Sequence, residues 1–376
     1  MASARPFPGL WLLGDDPGRR QFAALFEGTG LHLESGESLH RVSVAFETWG
    51  ELDAAADNAI LVLHALTGDS HVAGPAGPGH PTPGWWGPLV GPGSPIDTDR
   101  HFVVCPNVLG GCQGTTGPGS AAADGAPYGS RFPALTIRDQ VSVEAALADW
   151  LGIDRWALVI GGSMGGMRAL EWCVMYPERV RRAVILAVGA AATADQIALC
   201  SLQIRAIRTD PAFAGGDYYD ADERPLDGLA VARGIGHLSY RSADELQRRF
   251  GRVAQTPRDP LRGGQYAIES YIDHHGDKLA GRFDPNSYIV LSEAMNHHDV
   301  GRGRGGVAAA LASARVRVSV GGISSDRLYP LSQQHELARL IPGARPVTVI
   351  DSASGHDGFL LETGQVGRLV TRTLAS

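Results

Sequence analysis

"VIGGSMGGMRALEW", Val159 to Trp172, places one hydroxyl, that of Ser163, among four glycines between an apolar run and a segment with helical patterning. Gly161-Gly162-Ser163-Met164-Gly165 fits G-x-S-x-G, and a position between predicted strand and predicted helix is where that pattern forms a sharp nucleophile-bearing turn. Side chains at the flanking positions of so tight a turn would collide, which is why glycine stands at 161 and 165. The turn holds the hydroxyl at the end of a sheet, with the following helix N-terminus directed at its substrate. A glycine-rich phosphate loop is the competing reading. It lacks the G-K-[ST] lysine and the full dinucleotide pattern.

Short, nearly continuous apolar runs surround this element: "AILVLHAL" at 59–66, "HFVVCPNV" at 101–108, "RWALVIGG" at 155–162 and "RRAVILAV" at 181–188. Such runs predict strands buried on both faces. Helix-like segments, "IRDQVSVEAALADWLG" and "MGGMRALEWCVMYPERV", lie between the last three, so the order predicts a parallel sheet covered on both sides. Upstream, "LHLESGESLHRVSVAFETW" alternates around a Ser-Gly turn and predicts an antiparallel hairpin over 31–49. The rhythm stops near Ala190, gives way to helical segments such as "ADQIALCSLQIRAI" and "ADELQRRFGRVA", and resumes after Ala310. "RVRVSV", "LSQQHELARLI", "RPVTVID" and "GQVGRLVTRTLA" then complete it. The expected organisation is an α/β core at 1–189 and 311–376, interrupted by a helical insertion at 190–310. The Gly/Pro-rich stretch at 72–95 reads as a long surface excursion.

A serine hydroxyl needs a base to take its proton and a carboxylate to orient that base, in the chain order serine, acid, histidine for this kind of fold. Asp326 in "GGISSDRLYP" and His356 in "DSASGHDGFL" each follow a predicted strand, in loops that would meet Ser163. Asp299 and Asp351 are alternative acids, and the sequence holds 13 histidines. The pairs His274-His275 and His297-His298 lie in the insertion without a supporting ligand cluster, so no metal site is expected. An oxyanion hole would use the backbone amide of Met164 and one from "LHALTGDSH", with Leu66 as donor. His64 reads as a structural residue at a strand end. "GRGRGG" at 301–306 matches G-x-G-x-x-G but follows the polar "NHHDV" rather than a strand, and reads as a flexible link.

Composition agrees with an enzyme acting on small molecules. The chain has 376 residues, 44% hydrophobic and 19% charged, with a net charge of −7 and no dense basic run that would suit nucleic acid or a membrane surface. No apolar segment reaches the roughly 18 residues of a membrane span, and the opening "MASARPFPGLWLLGDDPGRR" lacks a signal-peptide pattern, so a cytoplasmic location is expected. Cys105, Cys112, Cys173 and Cys200 read as reduced, packed thiols. Lys278 is the only lysine, which makes a lysine Schiff base a poor expectation.

With these residues in place, the chain resembles the homoserine O-acetyltransferase family of α/β-hydrolase-fold enzymes over nearly its whole length. "LHALTGDSH", "PNVLGGCQGTTGP", "GGSMGGMRALEW", "ISSDRLYP" and "SGHDGFL" carry the resemblance. It implies an α/β-hydrolase fold with a mostly parallel sheet and a helical lid, a triad of Ser163, Asp326 and His356, acetyl-CoA as co-substrate and L-homoserine as acceptor. It further implies a place in methionine biosynthesis, no permanently bound cofactor, and a homodimer joined through the lid. "VARGIGHLSYRS" matches the family segment that contributes Arg233 and Tyr240 to the acceptor site. Arg233 would hold the acceptor carboxylate and Asp357 its ammonium, with Thr67 as a third contact. Succinyl-CoA as donor, or an esterase or thioesterase using the same triad, are the alternatives; the uncharged "GGCQGTTGP" favours acetyl.

Overall fold

The computed structural model describes residues 9–376; the first eight residues of the stretch read above for a targeting signal lie outside it. Eight strands form the main sheet: β1 (Gln21–Leu25), β2 (Val42–Trp49), β3 (Ala59–Leu63), β4 (Phe102–Pro106), β5 (Leu158–Gly162), β6 (Arg182–Leu186), β7 (Arg317–Ile323) and β8 (Thr348–Ile350). Their spatial order is β1-β2-β4-β3-β5-β6-β7-β8. β1 and β2 pair antiparallel, as do β2 and β4, and every later pairing is parallel.

The apolar runs become buried strands because both faces of the sheet are covered. Leu61, Leu63 and Val159 pack on one side with α1 (Ile137–Trp150) and α2 (Met164–Met175). Ile60, Val62, Leu158 and Ile160 pack on the other with Trp86 and the C-terminal helix Thr363–Leu374. Alternate side chains of one strand thus enter two cores. Burying each such side chain is worth about 1.5–3 kcal/mol.

The hairpin predicted over 31–49 is shorter than expected. Leu31–His32 pairs only with Ser38–Leu39 around Gly36, while β2 pairs instead with β1, whose "QFAAL" carries too weak an alternation to announce itself. The 72–95 stretch is no loose excursion. Trp86 is fully buried with its indole N–H donating to the Phe359 carbonyl at 3.3 Å, and Trp85 donates to Asp69 O at 2.9 Å.

Between β6 and β7 the chain forms α3 (Ala194–Arg208), α4 (Leu226–Tyr240), α5 (Ala243–Phe250), α6 (Ala267–Ala280), α7 (Pro285–Asn296) and α8 (Val307–Ala312). Glycines let three of these helices approach closely. A Cβ on Gly228 of α4 would lie 2.7 Å from Ala206 O of α3, and one on Gly276 of α6 would lie 2.8 Å from Ala230 O of α4. The "GRGRGG" return is pinned rather than flexible. Arg138 of α1 donates to the carbonyls of Asp299 and Arg302 at 3.0 and 2.7 Å, and Arg304 pairs with buried Glu171 at 2.7 Å. No described helix is long and apolar enough to cross a membrane.

Candidate active site

Ser163 stands between β5 and α2 with φ 55° and ψ −125°, a conformation that costs a non-glycine residue roughly 1–3 kcal/mol. The surroundings hold it there. Its amide donates to Leu186 O of β6 at 3.1 Å, and its carbonyl accepts the Met167 amide at 2.9 Å. A Cβ on Gly161 would sit 2.2 Å from Gly165 O, and one on Gly165 would sit 2.0 Å from Leu63 O. Both glycines are therefore required by backbone contact.

His356 and Asp326 come together from the loops after β8 and β7. The His356 Nδ1–H donates to Asp326 Oδ2 at 2.7 Å, and Asp326 Oδ1 accepts the Leu328 and Tyr329 amides at 2.8 and 2.9 Å. Neither alternative acid reaches the histidine. Asp299 accepts from the Gly301 amide and Asp351 from the Ser324 hydroxyl. Burial disfavours the His356 imidazolium, but the charge and hydrogen bond of Asp326, aided by Asp357, outweigh it and raise the pKa above the ordinary 6.5. His356 Nε2 is buried and makes no hydrogen bond, and both His356 and Ser163 line one cavity of about 320 Å³.

Leu66 and Thr67, from the loop after β3, line the same cavity. Met164 opens α2, where the first amides have no intrahelical acceptor. Beneath the loop, His64 Nε2 accepts the Val108 amide at 3.1 Å and Nδ1–H donates to Ala65 O at 2.9 Å. Burial, with the nearby Arg168 charge, lowers the pKa of His64 to about 3, so its role is structural. Arg168 is fully buried, pairs with Glu144 at 2.6 Å and donates to the His64 carbonyl.

The insertion contributes charge to the cavity. Arg233 of α4 lies over the Tyr240 ring, 5.3 Å from its centroid, and both line the cavity together with Asp357, Lys278 and Arg282. Arg282 was not singled out by sequence reasoning. Its guanidinium donates to Thr67 O and Thr67 Oγ1 at 3.0 and 3.1 Å, so the Thr67 hydroxyl is already held by a protein group. Asp357, expected to face an acceptor, also pairs with Arg241 at 3.1 Å. The "GGCQGTTGP" loop does not line this cavity, so its lack of charge says nothing about donor size. Its Gln113 carbonyl and Thr115 hydroxyl instead bond to Asn107.

Glu47, His71 and His80 form a buried cluster that the sequence scan for metal ligands passed over. All but one of its donor atoms are engaged, the exception being His80 Nδ1, which is buried and makes no hydrogen bond. Glu47 accepts from the Ser70 hydroxyl at 2.7 Å and from His71 Nδ1 at 3.0 Å, while His80 Nε2 accepts the Arg19 amide at 3.1 Å. The cluster ties β2 to the loop after β3. Of the insertion histidines, His274 and His297 are exposed, while His237 and His298 are buried, the latter against the Gly189 carbonyl. All four cysteines are free thiols, Cys200 beside the cavity and the other three buried.

Residues 58–363 match the alpha/beta hydrolase fold family. The homoserine O-acetyltransferase of Thermobifida fusca (strain YX) is 59% identical over 371 residues, covering 98% of this chain and 97% of that protein. The chain belongs to the homoserine O-acetyltransferase family. Among solved structures, the homoserine O-acetyltransferase from Bacillus anthracis superposes with a TM-score of 0.86 at 26% identity, covering 95% of this chain and 97% of that one. Esterase E22 is similar at TM-score 0.85 and 26% identity, covering 94% and 100%. The same scaffold thus occurs in a structure named as a homoserine O-acetyltransferase and in one named as an esterase.

Proposed function

We propose that this chain transfers acetyl from acetyl-CoA to the side-chain hydroxyl of L-homoserine, releasing CoA and O-acetyl-L-homoserine, as a step of methionine biosynthesis. The observation that carries this reading is 59% identity to a homoserine O-acetyltransferase across 98% of the chain. In the proposed sequence, His356 takes the Ser163 proton as the serine oxygen attacks the thioester carbonyl. The amides of Leu66 and Met164 stabilise the oxyanion, and CoA leaves as the thiol with the proton from His356. Homoserine then enters, His356 takes its hydroxyl proton, and the oxygen attacks the acyl-serine; collapse frees Ser163 and returns the proton. Every group needed is supplied by the chain, so the reaction is drawn with neither resident cofactor nor metal.

Acceptor choice would rest on Arg233 and Asp357, opposite charges on one cavity that suit the carboxylate and ammonium of an α-amino acid. Water needs neither. The apolar side chains of Leu202, Val231 and Leu238, exposed on α3 and α4, support a homodimer joined through the insertion. The test is mass spectrometry of Ser163 after brief exposure to mixed acyl-CoAs, followed by turnover with and without homoserine. An acetyl adduct discharged by homoserine is the expected result. Preferential succinyl adducts, or consumption of acetyl-CoA at the same rate without homoserine, would replace it with a succinyltransferase or a thioesterase.

A further inference from the structure

The corner joining α4 to α5 touches both loops that carry the acid and the base. On the acid side, Arg327, next to Asp326, donates to the Leu238 carbonyl near the end of α4. On the histidine side, the Ser242 hydroxyl donates to Ala353 O at 2.5 Å. Gly355, at φ +67°, lies so close that a Cβ there would be 2.4 Å from Tyr240 O and 2.8 Å from Ser242 N. The corner cannot shift without moving the residues on either side of His356.

Arg241 sits at this corner with its side chain only 10% exposed, between two carboxylates. One of its guanidinium nitrogens, Nη1, is 3.1 Å from Asp357 Oδ2, and Nη2 pairs with Glu245. Glu245 is in turn 3.3 Å from Arg249. Burial opposes the Arg241 charge, yet Glu245 and Asp357 more than offset it, so the guanidinium stays ionised. An unrestrained Asp357 would rotate; here one oxygen is held by a single N–H of a guanidinium whose other terminal nitrogen is tied to Glu245, which restricts the direction of the second oxygen. Arg233 lies on the same α4, seven residues before Tyr240 and so about 10.5 Å along the helix axis.

We propose that Arg241 is the positioning residue of the acceptor site: by holding Oδ2 of Asp357 it presents the other oxygen to an amino-acid ammonium at a distance from Arg233 set by helix α4. This rests on the assignment of Asp357 and Arg233 to the homoserine acceptor made above. Arg241 touches no reacting atom. It acts through Asp357, and acetylation of Ser163 does not require it.

The experiment measures the burst of CoA released without acceptor, the homoserine KM and kcat, and the thermal midpoint, in Arg241→Met, Arg241→Lys, Asp357→Ala and the double variant Arg241→Met/Asp357→Ala. Arg241→Met should raise the homoserine KM at least tenfold while the burst amplitude stays within twofold. Arg241→Lys should recover part of that loss. In the Asp357→Ala background, Arg241→Met should change the homoserine KM less than twofold, because the carboxylate it positions is gone. Arg249→Gln, which removes a neighbouring charge without touching Asp357, should behave as the unaltered chain. An unchanged KM in Arg241→Met, an undiminished effect in the Asp357→Ala background, or an equal loss in Arg249→Gln overturns the proposal. Should Arg241→Met fail to fold, Arg241→Gln carries the same comparison by the same criteria. Absence of homoserine-dependent turnover in the unaltered chain would instead overturn the acyl-transfer reading, and this inference with it.

Discussion

Asp326 holds His356 with one oxygen and is itself held by the other: Oδ2 accepts the imidazole Nδ1–H at 2.7 Å, and Oδ1 accepts the Leu328 and Tyr329 amides. A carboxylate anchored by two backbone donors cannot turn away, so it fixes both the ring orientation and the tautomer that leaves Nε2 free to take a proton.

This arrangement predicts a pH dependence with a definite sign. His356 must be neutral to accept the Ser163 proton, and its pKa lies above 6.5 because Asp326 and Asp357 outweigh burial. The rate of CoA release in the first half-reaction should therefore fall as pH drops through an inflexion above that value. In Asp326→Asn the raising charge is lost while burial remains, so the inflexion should move to lower pH. The plateau rate should drop by about a thousandfold or more, since the ring loses its orienting acceptor. Rapid-mixing measurements across pH check both; an inflexion that moves upward would contradict the assignment.

The elbow glycines predict a stability contrast. A Cβ on Gly165 would lie 2.0 Å from the Leu63 carbonyl, a backbone atom that cannot move without shifting β3. Gly165→Ala should cost at least about 3 kcal/mol and abolish acylation. Gly36, at φ +89° with nothing within 4 Å of its would-be Cβ, should tolerate alanine at a cost of only about 1 kcal/mol. Denaturant midpoints of the two variants test the difference.

The elbow was legible from sequence because its constraint is local: the collision at Gly161 involves a residue four positions away. Asp326 and His356 were legible because each lies in the loop that follows a strand, three residues after β7 and six after β8, and a parallel sheet brings such loops to one edge. Arg241, Arg282 and Arg168 were not. An arginine in a helix or loop carries no local mark of burial, and their partners Asp357, Thr67 and His64 lie 116, 215 and 104 residues away. Likewise Glu47, His71 and His80 come from segments with no shared pattern, and β1 is identified only by its pairing with β2.

Arg168 and Glu144 form a pair with side chains 0% and 4% exposed, and Glu144 also accepts the Trp172 indole N–H at 2.7 Å. Breaking such a pair from one side leaves a buried charge unmatched and typically costs about 3–5 kcal/mol. Arg168→Met should destabilise the fold by that order, and the added change Glu144→Gln should recover part of it. A double-mutant cycle on unfolding free energies measures the recovery. Equal and additive losses would show that the pair does not act as a unit.

Arg282 is the insertion's hold on the loop that carries Leu66, and it makes a prediction about acylation rather than acceptor choice. Its fork grips both the carbonyl and the hydroxyl of Thr67, one residue beyond the proposed oxyanion donor. Burial works against its charge, so the side chain is kept in place by these two bonds together with the field of Asp69. Without the fork the Leu66 amide is free to turn, and losing one oxyanion donor costs roughly a hundredfold to a thousandfold in rate. Turning is less severe than deletion. Arg282→Ala should therefore slow CoA release in the first half-reaction by about tenfold to a hundredfold. Thr67→Val keeps the carbonyl contact and loses only the hydroxyl, so it should slow that step less, and Thr67→Ser should behave almost as the unaltered chain. Single-turnover CoA release without homoserine reads this directly. If Arg282→Ala leaves that rate intact and raises only the homoserine KM, Arg282 serves the acceptor and not the oxyanion loop.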